Sequence, residues 1–396
     1  MRVATLNTSQ IAFAGIEARQ NEQARLQQQL STSLRVNSPG DDPVAAAQAE
    51  LARSRLARVA QDQRSGQLAT SLLSAADGAL SQGIDLLQSA RENLVAAGDG
   101  GYSLSDRKAL ALELRSARDS MLALVNTRDG AGGFVFAGQG SADEPFSGTG
   151  TPSYAAAAGV QRMGEGGRFT ATVDGRSSFM TLPQGNGVFV TASGAANTGA
   201  AWMDSGSVSQ PGQLTGHDYR ITVGGTPGAL TYSVDDLTAG TQLVAGAPYL
   251  AGTAIELDGQ KVKISGTPAT GDSFEIKPAG QQSIFTTLDE AIAVLESDST
   301  APMYSEKLQR VQASLDRALD SMILVRSGVG EELRKVDDAA STGDLEKLLT
   351  TQRRSDLEDL DYAAGISQLA TSQTAMEAAL KSYASVARTS LFQLLG

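Results

Sequence analysis

Cysteine is missing from this chain altogether, and histidine and tryptophan each occur once. Without cysteine there is no disulfide framework and no thiol chemistry, and redox conditions outside a cell leave such a chain unaffected. A single His217 excludes a histidine-based triad and any multi-histidine metal site; beside a strand start it reads as a surface residue. No stretch approaches the ~20 consecutive apolar residues of a membrane span, so no membrane partner is expected. A Lys/Arg stripe is also lacking, and the net charge is −12, so neither is a nucleic-acid partner. Acidity of this kind mainly serves solubility. The opening MRVATLNTSQIAFAG lacks the continuous apolar core and small-residue cleavage site of a secretory signal.

Candidate chemistry is equally sparse. Asp41-Asp42, Asp235-Asp236 and Asp337-Asp338 have no ligand spacing of the EF-hand kind and read as helix N-terminal charges or solvated turns. Asp41 or Asp42, just before a helix, fits the capping role. The glycine clusters at 98–101 and 130–133 follow no strand and lack the phosphate-binding patterns. Trp202 and the tyrosines of the middle region fit a sugar platform less well than the core and turns of a β domain. No catalytic residue, cofactor or metal is expected.

What the chain does have is helix at both ends. Tyr362, Ile366, Leu369, Gln373, Met376, Leu380, Tyr383, Ala387, Leu391 and Leu394 step by fours and threes, which aims one apolar stripe at a neighbouring helix. A weaker stripe opens the chain, with Leu6, Phe13, Ile16, Leu30 and Leu34 in register and Gln20, Gln23 and Gln27 interrupting it. The two stripes could close on each other as a hairpin within one chain. Narrow stripes make such a hairpin marginal, so packing between molecules is the favoured expectation.

Glycine divides the remainder: 29 of 42 lie between Gly130 and Gly280. On one side Leu73, Ala76, Leu80, Gly83, Leu87, Ala90 and Leu94 mark a helix from Asp42 to about Ala97. Leu110, Leu114, Ala117, Met121 and Leu124 mark a second, which Ser103 or Ser105 can cap. On the other side Leu308, Val311, Leu315, Ala318, Met322, Val325, Val329 and Leu333 mark a third. Between about Gly148 and Gln282 the period falls to two, as in Phe169-Ala171-Val173 and Tyr219-Ile221-Val223. Ile255, Leu257, the turn Asp258-Gly259, Val262 and Ile264 read as a β-hairpin. The chain is therefore expected to be α+β: an elongated helical bundle with coiled-coil-like terminal helices and an inserted all-β domain, sandwich- or barrel-like. The expected division is 1–42 with 357–396 for terminal assembly, 43–147 with 283–356 for the bundle, and 148–282 for the insertion.

The segment LSTSLRVNSPGDDPVAAA, Leu30 to Ala47, resembles the N-terminal signature of the flagellin superfamily. Glu358-Asp359-Leu360-Asp361-Tyr362-Ala363 resembles the element that opens the C-terminal helix of that superfamily. Arg35, Asn37, Ser38, Asp41, Asp42, Pro43, Glu358, Asp359, Asp361 and Tyr362 carry the match. Asp41-Asp42-Pro43-Val44-Ala45-Ala46, Phe134-Val135-Phe136-Ala137-Gly138 and Ser390-Leu391-Phe392-Gln393-Leu394 look more like the hook–filament junction family, the third hook-associated proteins, than like flagellins. The β insertion is larger than many relatives carry.

The resemblance implies a structural protein with no active site, exported unfolded through the flagellar secretion channel without a cleavable signal. It implies an extracellular place at the hook–filament junction, between the first hook-associated protein and flagellin. The implied partners are those two proteins, neighbouring copies of this chain, and a cytoplasmic export chaperone on the C-terminal helix. Leu6, Phe13, Ile16, Leu30, Leu34, Ile366, Leu369, Met376, Leu380, Tyr383, Leu391, Phe392 and Leu394 are the expected assembly contacts. Two other readings remain: a divergent flagellin forming the filament itself, and an extracellular glycan-binding protein.

Overall fold

A computed structural model describes the backbone of residues 2–130, 132–140, 143–148, 150–298 and 301–395, and side chains within those ranges from 10 to 385, except 301 and 302. Its contacts divide the chain into two units, residues 1–64 with 339–396, and 65–338. Seven α-helices are present among the described residues: α1 (Arg2–Thr32), α2 (Pro43–Ala97), α3 (Leu104–Val125), α4 (Gly175–Phe179), α5 (Ile284–Glu296), α6 (Ala301–Glu358) and α7 (Tyr362–Leu395). The division at 64/65 and 338/339 differs from the expected one because α2 and α6 do not break at the loops that bound α1 and α7. Their ends instead join the terminal unit, where Arg55 pairs with Glu346 and Gln63 donates to Asp344 at 2.7 Å.

In the unit 65–338 the expected stripes form the core. Leu73, Leu80, Leu87 and Leu94 of α2 are fully buried, as are Leu114 and Met121 of α3 and Leu315 and Met322 of α6. The antiparallel course of α2 and α6 is fixed at its surface by Arg91–Asp316 at 2.6 Å and Arg326–Asp77 at 2.8 Å. At Gly83 the two helices approach closely, and a Cβ there would lie 2.5 Å from the flexible Met322 methyl. Ser103, not Ser105, caps α3 through a reciprocal box with Asp106. Helix α5 was not expected. Its signals are Ser283, whose hydroxyl accepts from Thr286 N at 3.0 Å, and the spacing of Ile284, Leu288, Ala291 and Leu295, all buried.

The insertion has two parts. From Phe189 to Pro278 two antiparallel sheets share one core, so the expected sandwich is present. One sheet runs in the order Thr241–Pro248, Ala229–Asp236, Tyr219–Thr226, Ser273–Pro278, Phe189–Ser193. The other runs Ala254–Leu257, Gln260–Thr267, Ala200–Met203, with Ser207–Val208 also paired to Gln260–Thr267. Phe189, Met203, Tyr219, Ile221, Val234, Val262, Phe274 and Ile276 fill the space between them. The expected hairpin forms, with Ile255 opposite Val262 and Leu257 opposite Gln260. Asp258 and Gly259 both take positive φ, 43° and 76°, as a two-residue hairpin turn requires. His217 is not a free surface residue: its Nδ1 lies 2.7 Å from the buried Asp236 carboxylate.

The segment before the sandwich, which sequence alone merged with it, belongs to the helices. Phe136, Phe146 and Phe179 stack edge to face at 5.0 and 5.7 Å between centroids, and Phe146 reaches Phe285 of α5 at 6.2 Å. Helix α6 holds the rest by accepting backbone donors, Glu332 from Thr170 N at 2.9 Å and Ser314 Oγ from Gly185 N at 3.0 Å, and it holds the first strand of the sandwich through Glu306, which accepts from Ser193 N at 2.7 Å. The chain enters and leaves the sandwich at one place, where Ala279 N donates to Val188 O at 2.9 Å and Gln184 N to Gly280 O at 3.0 Å.

Candidate functional site

The signature residues from the two ends of the sequence meet in the terminal unit. The loop between α1 and α2 lies against the link between α6 and α7 as a short antiparallel bridge, Leu34 opposite Asp359. Arg35 N donates to Glu358 O at 2.6 Å and Leu360 N to Ser33 O at 3.0 Å. The Arg35 guanidinium closes the other side, donating to Leu357 O at 2.7 Å and to Asp42 at 3.2 Å. The Tyr362 hydroxyl is 2.6 Å from Ser33 Oγ and donates to Leu30 O at 3.2 Å. Segments more than 300 residues apart are thus tied by backbone and side chain together.

Each aspartate of the two motifs has a separate task. Asp42 caps α2, accepting from Ala45 N at 3.0 Å, with Pro43 in the first helical position where no donor is needed. Asp41 shapes the loop instead, accepting from Ser38 N at 2.8 Å, Asn37 N at 3.1 Å and the Ser38 hydroxyl at 3.1 Å. Asp361 caps α7 through Ala363 N and Ala364 N, at 2.9 and 3.1 Å. Asp359 accepts from the Ser355 hydroxyl. The Ser38 amide holds the Asp41 carboxyl below the usual aspartate range, and the Ala45 amide followed by Arg35 does the same for Asp42. Glu358 is buried and bonded to Arg53 at 2.6 Å.

Several members of this clasp carried no sequence signal of their own. Gln29 is buried and donates to Arg35 O at 2.6 Å. Ser33 takes a positive φ of 61°, reversing the chain just past α1. Gly365 sits where a Cβ would press on Leu360 and Leu30 at 3.2 and 3.3 Å. Of these, the serine and glutamine are visible only once the partner segment is in place.

From the clasp, α1 and α7 run against each other within one chain. The intramolecular hairpin, set aside on the sequence, therefore forms. It uses part of each stripe: Ile16 and Met376 are buried, while Leu30, Leu34, Leu369 and Tyr383 are half-buried. The rest stays open. Phe13 is 62% exposed, Ile366 58% and Leu380 47%, and Ile11, outside the expected set, is 67% exposed. Leu6, Leu391, Phe392 and Leu394 lie outside the residues whose side chains are described. What this arrangement performs is mechanical: it fixes where two helices start and leaves apolar side chains outside. Among the described residues, no cluster of three His, Cys, Asp or Glu is placed to hold a metal, and no helix is long and apolar enough to cross a membrane.

Comparison with known proteins points one way. Residues 3–141 match the model of the bacterial flagellin N-terminal helical region, and 192–278 match the D2-like domain of flagellar hook-associated protein 1. The flagellar hook-associated protein 3 of Escherichia coli K12 is 26% identical over 100% of this chain and 99% of its own length. The flagellar junction protein FlgL of Legionella pneumophila superposes with a TM-score of 0.70 at 27% identity, over 79% of this chain and 100% of that one. Xanthomonas campestris FlgL gives 0.64 at 30% identity, over 72% and 95%.

Proposed function

We propose, on the premise that this chain belongs to the flagellar hook-associated protein 3 family of the flagellin superfamily, that it is a structural subunit of the bacterial flagellum at the hook–filament junction. One observation carries the reading: the likeness to junction proteins runs through the whole chain, whereas the flagellin model reaches only residues 3–141. The clasp supplies the physical sense. It brings both terminal helices out of one rigid knot with Ile11, Phe13, Ile366 and Leu380 facing outward.

Such a surface suits a heterologous contact that repeats from copy to copy rather than a closed dimer. The partners of this reading are neighbouring copies, the first hook-associated protein on the hook side and flagellin on the other. The chain travels unfolded through the flagellar secretion channel to the cell exterior. Before export, a cytoplasmic chaperone takes the apolar face of α7 in a groove, as amphipathic helices are commonly bound.

Immunogold labelling of detached flagella tests the location. Label confined to the hook-proximal end supports the junction, and label along the filament replaces it with a filament flagellin. Deleting the gene should release flagellin into the medium. A chain ending at Ala364 should lose the chaperone in pull-down; undiminished capture would move that site elsewhere.

A further inference from the structure

The turn that leads into the sandwich, Gln184-Gly185-Asn186-Gly187-Val188, holds the only Asn-Gly pair in the chain. In an unfolded chain such a pair modifies itself. Glycine carries no Cβ to hinder its amide nitrogen from reaching the side-chain carbonyl of the preceding asparagine. The Gly187 nitrogen forms a bond to Asn186 Cγ, the Cγ–Nδ2 bond breaks, and ammonia leaves with the Gly187 amide proton. Water then opens the cyclic imide at one of its two carbonyls, giving aspartate or isoaspartate.

The fold holds both polar atoms of the asparagine side chain and the attacking nitrogen in other hydrogen bonds. Asn186 Oδ1 accepts from Val188 N at 3.0 Å and Phe189 N at 2.9 Å, and Nδ2 donates to Ser205 O at 3.0 Å. The attacking nitrogen is engaged as well, donating to Gln184 O at 3.0 Å, with Gly187 at a φ of +91°. We infer that Asn186-Gly187 is a modification site open only while the chain is unfolded, and closed when the sandwich forms.

The position makes the modification consequential. An aspartate at 186 has no donor for Ser205 O and sets a charge against that carbonyl. Isoaspartate would also lengthen the backbone by one atom, next to the strand Phe189–Ser193 whose register with Ser273–Pro278 fixes the sandwich edge. The same turn carries Gly185 N to Ser314 and Gln184 N to Gly280. A chain modified before folding thus loses the entrance to the sandwich, not an idle loop.

The test uses the full chain at one pH and temperature, held in native buffer or in urea, with the peptide containing Asn186 followed by mass spectrometry. Modification in native buffer should be slower by more than about tenfold, because it proceeds only from the locally opened form. Equal rates would overturn the protection. In urea, Gly187→Ala should slow the reaction; an unchanged rate would show that the glycine nitrogen is not the nucleophile. Asn186→Asp mimics one product, and Trp202, half-buried on the strand Ala200–Met203 of the sandwich, reports its unfolding by fluorescence. A lower urea midpoint than wild type supports the structural consequence, and an identical midpoint removes it.

Discussion

Arg53 on α2 and Glu358 at the end of α6 are 305 residues apart in sequence and 2.6 Å apart in the fold, and the glutamate is the buried partner. The next guanidinium, Arg354, is 3.9 Å away. Arg53→Ala would therefore leave a buried carboxylate with one weak partner. The expected loss is roughly 1–2 kcal/mol, toward the low end because half of Arg53 is in water. Thermal unfolding followed by circular dichroism, with Arg91→Ala on the exposed Asp316 pair as control, measures it.

Acid should loosen the clasp from the side of Asp41 and Asp42. Both carboxyls are depressed in the folded chain. Their contribution to stability is accordingly complete above the ordinary aspartate value near 4 and is lost as pH falls through the lower folded values. Amide shifts of Ser38 and Ala45 should titrate in that acidic window. In Asp41→Asn the Ser38 titration should disappear, while Ala45 continues to report Asp42.

Two positions on α7 separate folding from assembly. Leu380 is exposed, so Leu380→Asp should leave helix content unchanged yet abolish motility, because the charge would be buried only against a neighbour. Met376 is buried against α1, so Met376→Asp should reduce helix content in the monomer itself. Circular dichroism with a swimming assay decides, and normal swimming of Leu380→Asp would remove that residue from the contact surface.

Two glycines should respond differently to alanine. At Gly83 the methyl meets the flexible end of Met322, and helix propensity gains up to about 1 kcal/mol, so the net change should be small. At Gly175 it would lie 2.5 Å from Phe136 O and 2.9 Å from the Phe146 ring, inside the aromatic cluster. Gly175→Ala should cost roughly 1–3 kcal/mol, read from the denaturation midpoint.

The insertion can be removed at one seam and not at another. Joining Ser147 to Ser283, the cut suggested by composition, deletes the buried Phe169, Phe179 and Leu182 and uncovers Phe146 and Phe285. Joining Val188 to Ala279 through a short Gly/Ser linker crosses a gap already spanned by one hydrogen bond. The second variant should keep its helices and bind no apolar dye; the first should bind dye. Filament formation by the second variant would show that the sandwich is dispensable at the junction.

Periodicity made the long helices and the Asp258-Gly259 hairpin legible, because their cause is local: a 3,4 spacing, a capping residue, a turn that needs positive φ. Helix α5 escaped notice because it is short, follows directly on strands, and has only three to four turns in which to show a period. The clasp was legible as two motifs and not as one object. Nothing local states that Arg35 will find Leu357 O, or that a buried Gln29 will serve Arg35 O. The aromatic cluster was hidden for a similar reason, since Phe136, Phe146, Phe179 and Phe285 come from four separate stretches. Whether the end stripes close on each other or on a neighbour depended on how much of each stripe one partner can cover, and the answer is part of it.

The anchoring of the insertion on α6 defines a load path. A tug on the sandwich reaches the helices through Glu306 and Ser314 as well as through the two chain crossings at Val188–Ala279 and Gln184–Gly280. These attachments act in parallel, so a force on the sandwich is shared among them instead of peeling one strand at a time. A tether of one or two residues would have failed bond by bond. The polar side chains along α6 brace the sandwich against that helix at points the chain crossings alone would not supply.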